Sequence, residues 1–268
     1  MVRAVTRLGV LGWPVTHSRS PAIHNAALRA VGLREWHYQL LPVPPQLLDE
    51  TVRALPAAGF RGANVTIPHK QAALALADQA TATARAIGAA NTLVFEQSGS
   101  IDADNTDAPA LIAALPFSPA GRTALVLGAG GSARAAVWAL FHAGAAEVRV
   151  WNRTPAHARA LCGELGGTPV ERATGADLLL NCTSIGLDAS VSTFKQLPLS
   201  ADDLARYDCV VDLVYSESET ELVRAARQRR ISVVDGLELL VGQGALSFAR
   251  FTGLTAPLDV MRTAAGSR

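Results

Sequence analysis

The chain of 268 residues is poor in cysteine, in aromatic side chains and in charge of one sign. Its three cysteines, Cys162, Cys182 and Cys209, are too few and too scattered for a disulfide framework or a zinc knuckle. They read as core residues of a protein kept in a reducing cytosol. Lysine and arginine number 24 against 23 acids, giving a net charge of +1, and no basic run is concentrated anywhere. Such a balance offers no footprint for nucleic acid or for an anionic membrane. No window reaches about 18 uninterrupted apolar residues, so no membrane span is expected. Residues 1–9 lack the apolar stretch of a signal peptide, and a soluble cytoplasmic protein is expected. The six histidines show no metal-ligand spacing, so no metal is expected either.

What is present is apolar residue in quantity. Hydrophobic residues make up 49% and charged residues 18%, enough for a sizeable core, and the length is comfortable for two domains. Strand-like and helix-like segments alternate from the start. Strands are expected at residues 7–11, 36–43, 62–67 and 91–95, and helices at 21–31, 47–58 and 71–77. Gly32 and Gly59 stand as helix stops, and Pro68 ends the third strand. That alternation implies an open, mostly parallel sheet covered on both faces.

A second unit follows a helical stretch at 110–115 and the punctuation of Pro116, Pro119 and Gly121. A near-continuous apolar strand, 123–127, runs into Gly128-Ala129-Gly130-Gly131-Ser132-Ala133, and a helix follows to about Ala143. Gly128, Gly130 and Ala133 fit the pattern G-x-G-x-x-G/A in the strand–turn–helix setting that gives it meaning. The first glycine allows the tight turn, the second lets a pyrophosphate approach the backbone, and the helix N-terminus offers it free N–H groups. A purely structural strand–helix turn is the competing reading. Further strands are expected at 148–151, 178–181, 209–213 and 231–234. The strand ending at Trp151 is followed by Asn152-Arg153-Thr154, without the acid that would hold the ribose hydroxyls of NAD. A carboxylate would repel a 2′-phosphate and Arg153 would attract it, so NADP is favoured over a reading of Arg153 as a solvated loop charge. The apolar, helical stretch 237–251 is expected to pack back on the first domain. The organisation expected is therefore α/β in two domains. Residues 1–107 plus 238–268 form an open, mostly parallel substrate-binding and catalytic domain, and 108–237 form a Rossmann-type NADP-binding domain.

Polar clusters mark the ends of strands and the starts of helices in the first domain, where open α/β sheets bind ligands. In His17-Ser18-Arg19-Ser20-Pro21, Ser18 and Ser20 lie where hydroxyls and helix N–H groups hold a carboxylate; plain capping by Ser20 is the alternative. In 64–70, Val65 and Ile67 should point one way along the strand and Asn64 and Thr66 the other. Lys70 opens the next helix, an unfavourable place for a cation, and so calls for a carboxylate partner. Asn91-Thr92 begins a strand, and Asp104-Asn105-Thr106-Asp107 precedes a helix. Asp107 either caps that helix or pairs with Lys70. In the second case the pair can relay a proton and steady a developing oxyanion during ketone reduction. Gln243 sits between Gly242 and Gly244 in an apolar helix. Two glycines cost that helix roughly 1 kcal/mol each, which close approach of another element would justify.

These segments resemble the shikimate dehydrogenase family jointly, from Gly12 to Phe248, together with 181–184, 212–215 and 235–237. The resemblance implies NADPH-dependent reduction of 3-dehydroshikimate to shikimate, in aromatic amino-acid biosynthesis. It implies Lys70 and Asp107 as the catalytic pair, and Ser18 and Ser20 on the substrate carboxylate. Asn64, Thr66, Asn91 and Gln243 would hold its hydroxyls, with Tyr215 lining the site. Gly128, Ala129, Gly130, Gly131, Asn152, Arg153 and Thr154 would hold NADP, with Thr183 and Gly236 near the ribose and nicotinamide. The chain departs from the family pattern at four places, one of them the loop of residues 188–198. His157 stands where a second arginine is common, which implies a weaker NADP preference with NAD accepted less well. Ser216-Glu217 replaces Asn-Pro, and Ala108 replaces a glycine. A small-molecule substrate is the expected partner, and monomer and homodimer both stand open. A quinate or aminoshikimate dehydrogenase, or a cofactor-binding regulatory module without catalysis, are the competing readings. Retention of both Lys70 and Asp107 argues against the last.

Overall fold

The computed structural model describes residues 5–216 and 218–266, so Glu217 lies outside the described residues. The chain divides into two compact units, Met1–Asp107 with Leu240–Arg268, and Ala108–Leu239.

The first unit opens with β1 (Thr6–Gly12), α1 (Ser20–Ala30), β2 (Trp36–Pro42), α2 (Leu48–Ala54) and β3 (Phe60–Val65). It continues with α3 (Lys70–Ala75), β4 (Gln79–Ala80), α4 (Ala82–Ile87), β5 (Thr92–Phe95) and β6 (Ile101–Asp104), and α5 (Asp107–Ala114) follows. The sheet order is β2-β1-β3-β5-β6-β4. Strands β1, β2 and β3 are parallel, as the alternation implies. β5 is not: it runs antiparallel to both β3 and β6. The reason is local. Residues 96–100 reverse the chain, with the Glu96 amide donating to the Ser100 carbonyl (2.9 Å) and Gly99 at φ 89°. So short a connection can join only antiparallel neighbours, since a parallel pair needs a crossover of a dozen residues or more. The hairpin places the start of β5 beside the end of β6, with Thr92 opposite Asp104, and beside the end of β3, with Asn64 opposite Thr92. In a parallel sheet the start of β5 would lie at the far end from both.

The second unit holds β7 (Thr123–Leu127), α6 (Gly131–His142), β8 (Glu147–Trp151), α7 (Pro155–Leu165), β9 (Thr168–Pro169) and β10 (Leu178–Asn181). Then come β11 (Cys209–Asp212), α8 (Glu221–Gln228) and β12 (Ser232–Val234). Its sheet is parallel throughout, in the order β12-β11-β10-β7-β8-β9. Alternate side chains fill two cores. Ala124, Val126, Leu178, Leu180, Cys209 and Val211 enter one. Leu125, Leu127, Leu179 and Val210 enter the other. A strand covered on both faces has no polar side to show, which is why these runs are continuously apolar. All three cysteines are free and buried, and burial pushes the Cys209 thiol up to about 11. The sequence reading omits α4, α7 and α8. The start of α4 is capped by Thr81, which accepts from the Ala84 amide, and that of α8 by Thr220, which accepts from the Val223 amide.

The chain returns to the first unit through α9 (Gly236–Thr252) and ends in α10 (Leu258–Ala265), also absent from the sequence reading. Two glycines set how closely α9 lies. A Cβ on Gly62 of β3 would come within 2.5 Å of the Phe251 ring, and one on Gly244 within 2.9 Å of Ile23 Cδ1 on α1. Between these contacts sits His24, wholly buried and stacked on Tyr38 at 4.3 Å between ring centroids, with Phe248 and Phe251 around it. Neither ring nitrogen has a hydrogen-bond partner among the described residues. Burial alone pulls its pKa from the ordinary 6.5 down to about 3.

In the unfolded chain His24 takes a proton below its ordinary value, and in the folded chain it stays neutral until about pH 3. Its contribution to stability is therefore complete above that ordinary value and is lost as the pH falls. Urea unfolding at pH 7 and pH 5 should show wild type losing about 2 kcal/mol more than His24→Phe over that interval. Equal losses would show that the imidazole protonates without hindrance in the fold.

Candidate active site

The polar clusters at the ends of β3 and β6 and the start of β5 meet because the hairpin brings them together. Lys70 is the first residue of α3 and Asp107 the first of α5. The Lys70 ammonium donates to Asp107 Oδ2 at 2.6 Å, and the two side chains are only 10% and 18% exposed. Asp107 Oδ1 accepts from Asn91 Nδ2 at 2.8 Å, and the Asp107 amide donates to Asn105 Oδ1. Both carboxylate oxygens are thus held, and the carboxylate is not engaged as a simple helix cap. Asn91 Nδ2 also reaches Gln243 Oε1 at 3.3 Å, while Gln243 Nε2 donates to the Leu240 carbonyl. An ammonium and a carboxylate at this distance, with little water, can pass one proton between them and steady negative charge arising nearby.

The other residues are placed as follows. Asn64 is buried with its whole amide engaged: Oδ1 accepts from the Tyr38 and Ser247 hydroxyls, and Nδ2 donates to the Asn91 carbonyl and Thr92 Oγ1. Thr66 lies just past the end of β3, packed so close to Gly12 that a Cβ there would come within 2.5 Å of its methyl. The alternation expected of 64–67 fails at Ile67, because β3 stops at Val65 and Ile67 stands 49% exposed in the turn beyond. Ser20 does not cap α1. It is the first residue of the helix, the N-cap is Arg19 without a side-chain cap bond, and Ser18 Oγ accepts from the Ser20 amide. The Arg19 guanidinium donates to the Ala265 carbonyl at the end of α10, which pins this segment from outside. Thr92 and Thr106 fall inside the polar clusters read from the sequence, and with Tyr38 and Ser247, which the sequence does not single out, they belong to the same buried network. Nothing local marks Tyr38 or Ser247, whose partner Asn64 lies on another strand.

In the second unit, Gly128 stands at φ 109° with Cβ room only 3.0 Å from the Cys182 carbonyl, and its amide donates to the Trp151 carbonyl. A Cβ on Gly130 would meet nothing within 4 Å, and Gly130 is the N-cap of α6. Ala129 and Ala133 pack into the core below. Gly131 begins α6, so the first amides of a 12-residue helix follow directly on the open turn. Asn152 Nδ2 donates to the Thr154 carbonyl, while Arg153 and Thr154 are exposed. An open glycine turn at a helix N-terminus, with an exposed arginine and no acid directly after the neighbouring strand, fits a dinucleotide carrying a 2′-phosphate. Thr183 Oγ1 donates to Asn181 Oδ1 at 2.6 Å. Behind it lies Asp212, buried at the end of β11 and accepting from Asn181 Nδ2, the Val214 amide and Thr220 Oγ1. Its burial pushes the carboxyl up to about 6, against those hydrogen bonds. A Cβ on Gly236 would come within 2.5 Å of the Val214 carbonyl, next to the half-buried Tyr215. Among the described residues no group of His, Cys, Asp and Glu is arranged to hold a metal, and no helix is long and apolar enough to cross a membrane.

Comparison with known proteins accords with this geometry. The family profile described as "Shikimate dehydrogenase substrate binding domain" matches residues 10–93. "Shikimate / quinate 5-dehydrogenase" matches 112–185, and "Shikimate 5'-dehydrogenase C-terminal domain" matches 236–265. A protein of Methylobacterium radiotolerans named shikimate dehydrogenase (NADP(+)) is 45% identical, over 93% of this chain and 92% of its own. The chain belongs to the shikimate dehydrogenase family. A second member, from Thermus thermophilus and bearing the same name, is 45% identical over 97% of both chains. A crystal structure of shikimate 5-dehydrogenase from Thermus thermophilus, in complex with NADP(H) and shikimate, superposes with a TM-score of 0.86. It is 42% identical and covers 97% of this chain and 98% of its own.

His157 is exposed in the first turn of α7, its amide donating to the Thr154 carbonyl. At Ala108 the methyl is buried in the first turn of α5 and needs no glycine. The sharpest steric limit is at Gly236, where three backbone atoms of residues 213 and 214 lie within 2.9 Å of any Cβ. Gly236→Ala should lower stability by roughly 1–3 kcal/mol through forced displacement of that backbone. A thermal melt unchanged from wild type would show that the contact yields freely.

Proposed function

We propose that this protein catalyses the reversible reduction of 3-dehydroshikimate to shikimate with NADPH. The observation that carries the proposal is the largely buried Lys70–Asp107 pair at 2.6 Å, in a chain whose relatives are named shikimate dehydrogenase (NADP(+)). Bound NADPH supplies the hydride that the ketone carbon receives. Lys70 Nζ gives a proton to the ketone oxygen as negative charge develops there, and it takes the proton back from the hydroxyl in the reverse direction. Asp107 holds the ammonium in place and returns a proton to Lys70 from solvent. Ser18 and Ser20 bind the substrate carboxylate at the N-terminus of α1, where the helix dipole favours an anion. Thr66, Asn91 and Gln243 hold the ring hydroxyls, with Asn64 beside them and Tyr215 lining the site. Gly128, Ala129, Gly130 and Gly131 take the pyrophosphate; Asn152, Arg153 and Thr154 take the adenosine 2′-phosphate; Thr183 and Gly236 flank the nicotinamide ribose. NAD is accepted with lower preference. The cytoplasm suits a protein whose cysteines are all free.

Three experiments test the reading. NADPH formation followed by absorbance, with shikimate and then quinate, each with NADP and then NAD, should give the highest kcat/KM for shikimate with NADP. Cofactor binding without turnover would leave a regulatory module, and faster quinate oxidation would leave a quinate dehydrogenase. Lys70→Ala should lower kcat about 10²–10⁴-fold with far less change in KM, because the proton moves only in the transition state. A change confined to KM would reduce Lys70 to a binding role. Arg153→Ala should weaken NADP about 10- to 100-fold, the worth of a charge-assisted hydrogen bond, and leave NAD unchanged. Equal losses for both cofactors would remove the 2′-phosphate from its account.

A further inference from the structure

Thr106 is buried, 3% exposed, between Asn105 and Asp107. Its hydroxyl lies 2.9 Å from Asn91 Nδ2 and 3.1 Å from Asn91 Oδ1, and it has no other partner among the described residues. Its backbone amide donates to the same Oδ1 at 2.8 Å. Thr92 Oγ1 donates there as well, at 3.0 Å. These donors settle which end of the Asn91 amide is oxygen, because a flipped amide would set its NH2 against the Thr106 N–H. Once the oxygen is fixed, Nδ2 must face the opposite way. Its shortest contact on that side is Asp107 Oδ1 at 2.8 Å, with Gln243 Oε1 at 3.3 Å.

We propose that Thr106 is a positioning residue for the reaction: its hydroxyl locks the Asn91 amide, and the amide in turn fixes the plane of the Asp107 carboxylate that carries Lys70. The inference rests on the proposed role of the Lys70–Asp107 pair. It adds to that role a dependence on a side chain that touches neither member. A buried hydroxyl is unfavourable unless it is hydrogen-bonded, and this one serves a single amide. The amide has two N–H groups for three acceptors. The hydroxyl can donate to Oδ1 and accept from Nδ2 at once, so it holds both ends of the amide. Without it, only the backbone N–H of residue 106 and Thr92 steady the oxygen, and the amide can swing off Asp107.

The test compares Thr106→Val, which keeps the volume, with Thr106→Ser, which keeps the hydroxyl, in the full chain. Thr106→Ala serves if the valine does not fold. Shikimate oxidation by NADP should show kcat lowered about tenfold in Thr106→Val, the effect of one lost buried hydrogen bond. Thr106→Ser should stay within about twofold of wild type, and the KM for NADP should hold in both. Wild-type kcat in Thr106→Val, or a serine variant as impaired as the valine, would overturn the proposal. So would a fall in melting temperature with no change in kcat, which marks a purely structural residue. The parallel Lys70→Ala variant separates the two claims. If it is inactive while Thr106→Val is not, only the role of Thr106 fails; if it is fully active, the reading of the pair fails first.

Discussion

Two opposite charges, each at the first residue of its helix, meet at 2.6 Å with little solvent between them. Neither would be stable there alone. A cation at the N-terminus of α3 opposes the helix dipole, and an uncompensated buried carboxylate is costlier still. Each charge is the condition of the other, and the surrounding polar groups are arranged to keep them in register. Asn91 takes the second carboxylate oxygen, Asn105 takes the Asp107 amide, and Thr106 takes the Asn91 oxygen. Asn64 ties that group to β2 and α9 through Tyr38 and Ser247. The polar groups around the pair, though not the separately buried His24 and His69, thus form one connected network, where a partly satisfied set would be unfavourable.

Much of this was legible in the sequence because the signals are short-range. The apolar run 123–127 followed by glycines placed β7 and the turn before α6, and Trp151-Asn152-Arg153 showed the missing acid. Lys70 stood out as a cation where a helix begins. What was not legible is non-local. The direction of β5 depends on a five-residue reversal whose consequence is visible only once the strands pair. β6 is short and alternates with aspartates, so its apolar residues, Ile101 and Ala103, do not announce a strand. Tyr38 and Ser247 look like ordinary members of an apolar strand and helix, yet each hydrogen-bonds Asn64 across a sequence separation of 26 or 183 residues. Ser20 was read as a candidate cap because serine favours that position. The helix begins at it instead, and Arg19 takes the cap position.

The second unit follows a different logic. The runs 124–127 and 178–180 are wholly apolar, and Asn181 and Asp212, the last residues of β10 and β11, stand opposite one another in register. From that row Asp212 gathers the segments after β10 and β11 and the start of α8 into one cluster. Polar side chains at the carboxyl ends of β10 and β11 direct their hydrogen bonds to the edge where such folds bind ligands.

The β5–β6 reversal at residues 97–99 is exposed and lies at the opposite end of the hairpin from Asn91 and Asp107. Added length there extends the ribbon outward and leaves the pairing of Thr92 with Asp104 as it is. This makes the tip of the hairpin the natural place in the first unit to graft a tag or a foreign peptide, because backbone inserted at an exposed reversal displaces no buried hydrogen bond.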